Sequence, residues 1–256
     1  MNERLAHFFD FNPSGAFLSS MIVVFLVIIL MVIVGIKASR QDPLKPSKGL
    51  LMIAELLFEK LNGWIKANMG EGWESFTAYF MALWSYLFLA FIWSLTGLPS
   101  IMDNLFAPLA LSLVMWILIQ KTALKYQHIH YFHRYVEPIF VFLPINMISQ
   151  MAPLMSTTFR MFGNALSGTI VITLVQFALN GVSRLIFGFM GPELSSIWLS
   201  PLPTAVLNLY FGLFSGFIQT LVFCSLNAIW ISNERPEEAM GVETQALRGP
   251  AEKKAI

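Results

Sequence analysis

Charged residues are scarce in this sequence, and their scarcity indicates the solvent in which the chain folds. Only 12% of the 256 residues are Asp, Glu, Lys or Arg, against about 25% in an ordinary soluble domain. Hydrophobic residues make up 56%, and the mean hydropathy is +0.66. The composition therefore predicts an integral membrane protein. The net charge of +1 is too small to indicate a nucleic-acid partner.

The sequence also has a single cysteine and lacks the usual catalytic motifs. The one cysteine, Cys224, lies in an apolar run, which excludes a disulfide framework and any CxxC redox or zinc site. No G-x-x-x-x-G-K-[ST] loop and no nucleophile motif occurs, so we expect no catalysis by this chain alone and no cofactor. The histidines of HIHYFH (128–133) match no common zinc spacing, and no metal site is predicted.

Apolar runs predict a single all-α membrane domain with about five crossings. A crossing needs about 20 apolar residues, whereas alternating apolar and charged residues suit an interfacial helix. The predicted segments are a first span (15–36), an interfacial amphipathic helix (49–68), a second span (75–99), a third span (104–120), a long tilted helix (138–189), a last helix (199–232) and a disordered cytoplasmic tail (233–256). The two long helices are expected to form a hairpin.

The stretch 138–189 is too long for one perpendicular crossing, because a helix of about forty residues extends about 60 Å at 1.5 Å per residue. It must tilt, lie partly flat or break. Pro144 and Pro153 are candidate break points, since each removes a backbone donor and crowds the preceding turn.

Lysine and arginine are concentrated in alternate loops. The basic residues are Lys37, Arg40, Lys45 and Lys48 after the first span, and Lys121, Lys125 and Arg134 after the third. The intervening turn SIMDN (100–104) has neither Lys nor Arg. By the positive-inside rule the basic loops are cytoplasmic, so the N-terminus is predicted outside and the C-terminal tail in the cytoplasm.

An arginine, Arg160, lies in a tract that has no acidic residue from Pro138 to Pro192. On a helical wheel of about 100° per residue, several polar residues fall within about 40° of Arg160. They are Asn146, Ser149, Ser156, Asn164 and Ser167. In the last helix, Asn208, Gly212, Ser215 and Gln219 form a similar stripe.

The stripes have two interpretations. Single Ser, Asn and Gln residues often join membrane helices by hydrogen bonds. An arginine without a carboxylate in either helix fits that interpretation poorly, because a buried charge needs a partner. We therefore expect the missing anion to come from another chain.

The motif RMFGN followed by ALSG resembles the R-x-F-G-N-x-x-x-G core of the a subunit of F-type rotary ATP synthases. PINMISQ, LTGLP and FIQTLVF resemble further segments of that family: the start of its long tilted helix, a turn after its second span, and the part of its last helix that bears a glutamine. The resemblance covers roughly residues 80–232.

The resemblance implies a function for Arg160. In this family the arginine lies between two offset aqueous half-channels and faces a carboxylate on each c subunit of the rotor ring. The implied partners are the c ring, the b subunit of the peripheral stalk, the rest of the complex and membrane lipid, and the implied location is the bacterial plasma membrane. Gly163 and Gly168 would allow close approach to the rotor, or else would pack against a helix of this chain.

The resemblance to the family extends to some of the other site residues but not to all of them. Asn164 and Gln219 match polar positions of the family, beside the outer half-channel and close to the arginine. Many relatives have a titratable residue where this chain has Gln150, Thr169 and Gly212, so a titratable relay is predicted to be absent. The remaining candidates for ion translocation are neutral oxygens, and sodium is therefore as plausible a coupling ion as the proton. They are Asn146, Ser149, Gln150, Ser156, Asn164, Ser167, Thr169, Ser215 and Gln219.

Two other functions remain open on sequence alone. The chain can be a stand-alone secondary transporter with Arg160 in its substrate site, which requires a pocket between broken helices. It can also be a structural scaffold, but a scaffold leaves Arg160 unexplained.

Overall fold

The computed structural model describes residues 15–41, 49–128, 130–136, 140–191 and 198–235. Within these ranges nearly every residue is helical and none forms a strand. The α-helices are α1 (Gly15–Arg40), α2 (Leu50–Met69), α3 (Thr77–Trp93), α4 (Phe106–Gln127), α5 (His130–Val136), α6 (Leu143–Phe187), α7 (Pro201–Leu209) and α8 (Gly216–Asn233). A π-helical turn, Tyr210–Ser215, joins α7 and α8 into one last helix.

Five helices are long and apolar enough to cross a membrane. They are Gly15–Arg40, Glu74–Thr96, Phe106–Gln127, Leu143–Phe187 and Pro201–Asn233. The prediction of an all-α integral membrane protein with about five crossings is confirmed. The charged helix α2 is not one of the five, and it packs against the others through Leu51, Ala54, Ile65 and Met69.

Two helix ends differ from the predicted boundaries. The second span ends at Thr96 rather than at residue 99, because Gly97 takes a left-handed conformation (φ 77°) that terminates the helix. The third span was predicted to end at Gln120, whereas α4 continues to Gln127. Its last two turns contain Lys121 and Lys125, which interrupt the apolar pattern but are good helix formers.

The long helix α6 passes through Pro153 without a break, so of the alternatives that the sequence left open, a break at this proline does not occur. Pro153 has no N–H to donate to the Ser149 carbonyl four residues earlier, and in membrane proteins neighbouring side chains can donate to the turn before a proline. Here the indole nitrogen of Trp116 donates to a carbonyl of that turn, the adjacent Gln150 carbonyl, at 2.9 Å. Pro144 lies in the first turn, where a helix tolerates proline.

Helices α4 and α6 pack antiparallel. Three side-chain hydrogen bonds connect residues 150–169 of α6 to α4 and to the turn before α4. They join Asp103 to Thr169 (2.8 Å), Ser112 to Thr157 (3.0 Å) and Trp116 to Gln150 (2.9 Å). An apolar core joins α4 and α6 to α1, α2, α3 and α8, and it includes Phe80, Leu87, Met115 and Phe223.

The residues just after the last helix are ordered. The tail was predicted to be disordered from residue 233, but α8 includes Asn233, and both Glu234 and Arg235 are buried. The guanidinium of Arg235 lies over the rings of Trp73 and Tyr126. The prediction is therefore wrong for residues 233–235, while residues 236–256 lie outside the described part, as do residues 138 and 139 of the predicted long helix.

Gly216 provides a test of the contact between α3 and α8. A Cβ atom at Gly216 would lie 2.6 Å from the Cβ of Phe91, whereas one at Gly181 in α6 would meet nothing within 4 Å. We expect Gly216→Ala to lower the free energy of unfolding by about 1–3 kcal/mol through overpacking. The control Gly181→Ala should be neutral or stabilising by up to about 1 kcal/mol. Thermal unfolding in detergent measures both, and equal stability of the two variants would contradict the close packing.

Candidate functional site

Arg160 lies near the middle of α6 with its side chain exposed. One Nη atom donates to Ser156 Oγ at 3.4 Å, one turn earlier in the helix. Within the described ranges no carboxylate lies at ion-pairing distance from Arg160. A Cβ atom built on Gly163, one turn later, would meet nothing within 4 Å, so the surface beside the guanidinium is open. The arginine is thus a charge that this part of the chain does not compensate.

The polar stripe around Arg160 is divided between two environments. Ser149, Ser156 and Ser167 are exposed together with Arg160, as the helical wheel predicts for an unbroken helix. Asn146 and Asn164 are half-buried. The amide nitrogen of Asn146 donates to the Tyr135 carbonyl at 3.1 Å. The two asparagines therefore contact this chain, and the serines form the open part of the stripe.

The last helix meets α6 close to Asn164. Ser215 Oγ donates to Asn164 Oδ1 at 3.0 Å. A Cβ atom at Gly168 would lie 3.1 Å from the ring of Phe211, so of the two glycines near Arg160, Gly168 packs within the chain and Gly163 faces open space. The π-helical turn contains Phe211 and Ser215, and it forms this contact.

Gln219 is buried in the last helix, with only 6% of its surface exposed. Its amide nitrogen has no hydrogen-bond partner among the described residues. No hydrogen bond joins it to Arg160 within these ranges. A buried donor without an acceptor is costly, which suggests an acceptor that the described part of the chain does not contain, such as water.

A cavity of about 210 Å³ lies between α3, α6 and the last helix. Asn164, Thr169 and Gly212 line it, and so does Asp103 from the turn before α4. Asp103 Oδ2 accepts a hydrogen bond from the Thr169 hydroxyl at 2.8 Å. The sequence analysis missed Asp103, although it is the one acidic residue between Glu74 and Glu137 and so could have been singled out.

A second polar group, the Arg134 cluster, lies at the opposite end of α6. It consists of Arg134, Gln150, Gln127 and Glu234. Arg134 Nη1 is 2.7 Å from Glu234 Oε2, and Nη2 donates to Gln150 Oε1. The amide nitrogen of Gln127 donates to Glu234 Oε2 at 3.0 Å. Gln150, predicted to belong to the ion path, is therefore engaged by a residue of α5.

The rest of the Arg134 cluster's surroundings are aromatic and apolar. The Tyr131 ring lies 5.8 Å from the Arg134 guanidinium, and burial raises the pKa of the Tyr131 hydroxyl, which therefore stays protonated.

An open cavity of about 550 Å³, whose lining includes methionines 147, 151 and 155, adjoins Gln150. Among the described residues, no group of three His, Cys, Asp or Glu side chains is placed to hold a metal ion.

Comparisons with known proteins point to one family. The sequence model of the family described as ATP synthase A chain matches residues 18–232. The ATP synthase subunit a of Mycoplasma genitalium is 26% identical over 227 residues, which cover 84% of this chain and 77% of that protein. The ATP synthase subunit a of Mycoplasmoides gallisepticum is 25% identical over 229 residues, covering 84% of this chain and 76% of the relative.

The Arg134 cluster yields a stability prediction. The side chains of Arg134 and Glu234 are only 32% and 12% exposed, so Arg134→Ala or Glu234→Ala leaves a partly buried charge without its partner. We expect each variant to lower the free energy of unfolding by about 1–3 kcal/mol, and the double variant to cost less than the sum of the two single variants.

The matched control is the pair Lys66–Glu74, whose side chains are 46% and 60% exposed. Because solvent screens such a pair, Glu74→Ala should barely change the stability. A double-mutant cycle followed by thermal unfolding in detergent measures both pairs. Strict additivity at Arg134 and Glu234 would contradict a partly buried, coupled pair.

Proposed function

The chain belongs to the ATP synthase A chain family, and from this we propose that it is the ion-translocating stator of the membrane sector of an F-type ATP synthase. As a member of that family it is a non-catalytic, multi-pass membrane protein. In the proposed role it forms two offset half-channels against a ring of c subunits and couples the flow of protons or sodium ions to rotation. The b subunit of the peripheral stalk would hold it in place.

The observation that carries this proposal is the exposed, uncompensated charge of Arg160 in a span-length apolar helix. Placing a guanidinium at membrane depth costs about 2.5–3.5 kcal/mol on insertion scales, and a nearby anion offsets that cost. The open surface at Gly163 leaves room for another helix to approach. A carboxylate on each c subunit would be the anion, and the ring would present one after another.

A permanent cation suits the separator between two half-channels. A guanidinium keeps its charge in proteins, so Arg160 repels the transported cation and favours the ionised form of an approaching carboxylate. A rotor carboxylate that still carried its ion could not pass Arg160. Ions would then have to travel around with the ring, and flow would be coupled to rotation.

The two sides of Arg160 along α6 fit the two half-channels. The cavity at Asn164 and Thr169 would belong to the outer one. The exposed Ser149 and Ser156 continue from Arg160 toward the Arg134 cluster and would line the inner one. This arrangement assumes the orientation given by the positive-inside rule, with the N-terminus outside and the C-terminus in the cytoplasm of a bacterial cell.

A stand-alone secondary transporter is the less favoured alternative. Such a protein binds its substrate between broken helices of its own chain. Arg160 instead lies on an exposed face of a helix that continues through Pro153. An exposed cation fits a site completed by another subunit better than a site closed within one chain.

The first test of the proposed function is the charge at position 160. We expect Arg160→Ala to abolish ion-driven ATP synthesis in reconstituted liposomes while the c ring still co-purifies, and to permit passive ion leak. Arg160→Lys should also lose most activity, because an ammonium group is more strongly hydrated and lacks the planar fork. The other arginine of the same helix, Arg184, is the control, and Arg184→Ala should keep near-normal synthesis. Normal synthesis by assembled Arg160→Ala complexes would refute the proposal.

Contact with the rotor can be tested by cross-linking. Ser167 is exposed, and it lies within about 20° of Arg160 on the helical wheel. In a Cys224→Ala background, Ser167→Cys should form a disulfide with a cysteine introduced on the c subunit beside its carboxylate. Phe162→Cys, about 200° around from Arg160, should not. The opposite pattern would mean that a different face of α6 meets the ring.

A further inference from the structure

We propose that Asp103 is the exchange group of the outer path: its carboxylate takes up the transported cation from outside and releases it toward Arg160. The inference rests on the proposed function and assigns a residue to it. The sequence analysis predicted that this path had no titratable relay, because neither of its long helices supplies one. The structure brings the carboxylate in from a third segment, the turn before α4.

The geometry places Asp103 at the end of the cavity nearest the turn before α4. Its side chain is half-buried, and Oδ2 accepts the hydroxyl of Thr169 at 2.8 Å. The other polar lining residues are neutral: Ser94, Ser100, Asn164 and Asn208. Asp103 is thus the one titratable side chain among the described residues that line the cavity. At about 210 Å³ the cavity has room for several waters, each of which needs about 30 Å³ in the liquid.

The same cavity reaches close to Arg160. Asn164 lines it and lies four residues after Arg160, a rise of about 6 Å along the helix. A cation that enters at Asp103 and crosses this cavity therefore comes to within about one helical turn of the arginine. Residues 138–192 and 194–233 contain no Asp, Glu or His that could take up and release the cation instead.

The exchange step is simple for either ion. With protons, the Asp103 carboxylate accepts H⁺ from a water or hydronium ion on the outer side and gives it to a water in the cavity, and the carboxylate is regenerated. With sodium, the carboxylate and neighbouring hydroxyl and amide oxygens replace part of the hydration shell and then release the ion, since hard cations prefer oxygen ligands. Both need a negative charge at position 103.

The alternative role for Asp103 is a structural hydrogen bond to Thr169, and the two roles predict opposite rankings of two variants. Asparagine has nearly the shape of aspartate and can still accept the Thr169 hydroxyl, but it carries no charge. Glutamate keeps the charge but changes the reach. A structural role predicts that Asp103→Asn is better than Asp103→Glu. An exchange role predicts the reverse.

The experiment uses the complete complex in liposomes, with synthesis driven in separate arms by a proton or a sodium gradient plus potential. In the arm that drives synthesis, we expect Asp103→Asn to reduce the rate at least about 10-fold. Asp103→Glu should retain synthesis and shift the apparent KM for the ion on the outer side. Glu55→Gln, which removes an exposed acid of α2, is the matched control and should leave synthesis unchanged.

A relocated carboxylate gives an independent test. Because the Thr169 hydroxyl lies 2.8 Å from the Asp103 carboxylate, Thr169→Glu places an acid in the same cavity from α6. The double variant Asp103→Asn, Thr169→Glu should recover at least about a third of the synthesis lost in Asp103→Asn. Co-purification of the c ring checks assembly, and if the double variant does not assemble, the ranking of Asp103→Asn and Asp103→Glu decides.

Near-normal synthesis by Asp103→Asn with an unshifted ion dependence would overturn the inference. An assembled double variant no more active than Asp103→Asn would also overturn it. Arg160→Ala, measured in parallel, separates this failure from that of the proposed function. If Arg160→Ala is inactive and Asp103→Asn is active, only the role of Asp103 fails, whereas an active Arg160→Ala refutes the stator itself.

Discussion

The antiparallel contact between α4 and α6 determines what the rest of the long helix can do. Two hydrogen bonds donated by Thr169 and Thr157, and one that the Gln150 carbonyl accepts from Trp116, hold α6 against α4 and the turn before it. Polar contacts inside a membrane protein give such a helix one rotational setting, because a turn of the helix would leave their partners unpaired. In that setting Arg160 and the serines of its stripe remain uncovered. The uncovered stripe and the cavity near Thr169 both follow from this rotation.

Two arginines of this chain, Arg134 and Arg160, differ in how their charge is compensated. Arg134 has a carboxylate from its own chain, Glu234, and a second partner in Gln150. Arg160 has only the Ser156 hydroxyl among the described residues. Among the described residues, an acid thus pairs with the arginine that joins helices of this chain, and none pairs with the arginine that faces away from them. A fixed partner at Arg160 would compete with any carboxylate that arrives from outside, so its absence is consistent with a site that must bind and release.

Local sequence patterns predicted the spans and the exposed serines well, because hydropathy and a period of 3.6 residues act over one or two helical turns. They failed where the decisive contact joins distant segments. Asp103 meets Thr169 across 66 residues, and Arg134 meets Glu234 across 100. No periodicity encodes such pairs. The contact of Gln150 with Arg134 was therefore not predicted, and Glu234 was assigned to a disordered tail.

The π-helical turn could not be predicted from a periodic sequence pattern either. A wheel drawn at a constant 3.6 residues per turn places Asn208 and Gln219 on one face, but Tyr210–Ser215 widens the helix between them. π-turns are rare and often lie at functional sites. Here the turn contains both residues that contact α6 near Asn164, namely Phe211 and Ser215.

The Arg134 cluster also constrains the order of biogenesis. Arg134 is synthesised well before Glu234, since the two are 100 residues apart. The ion pair at this end of the protein therefore cannot form until the last helix has been made.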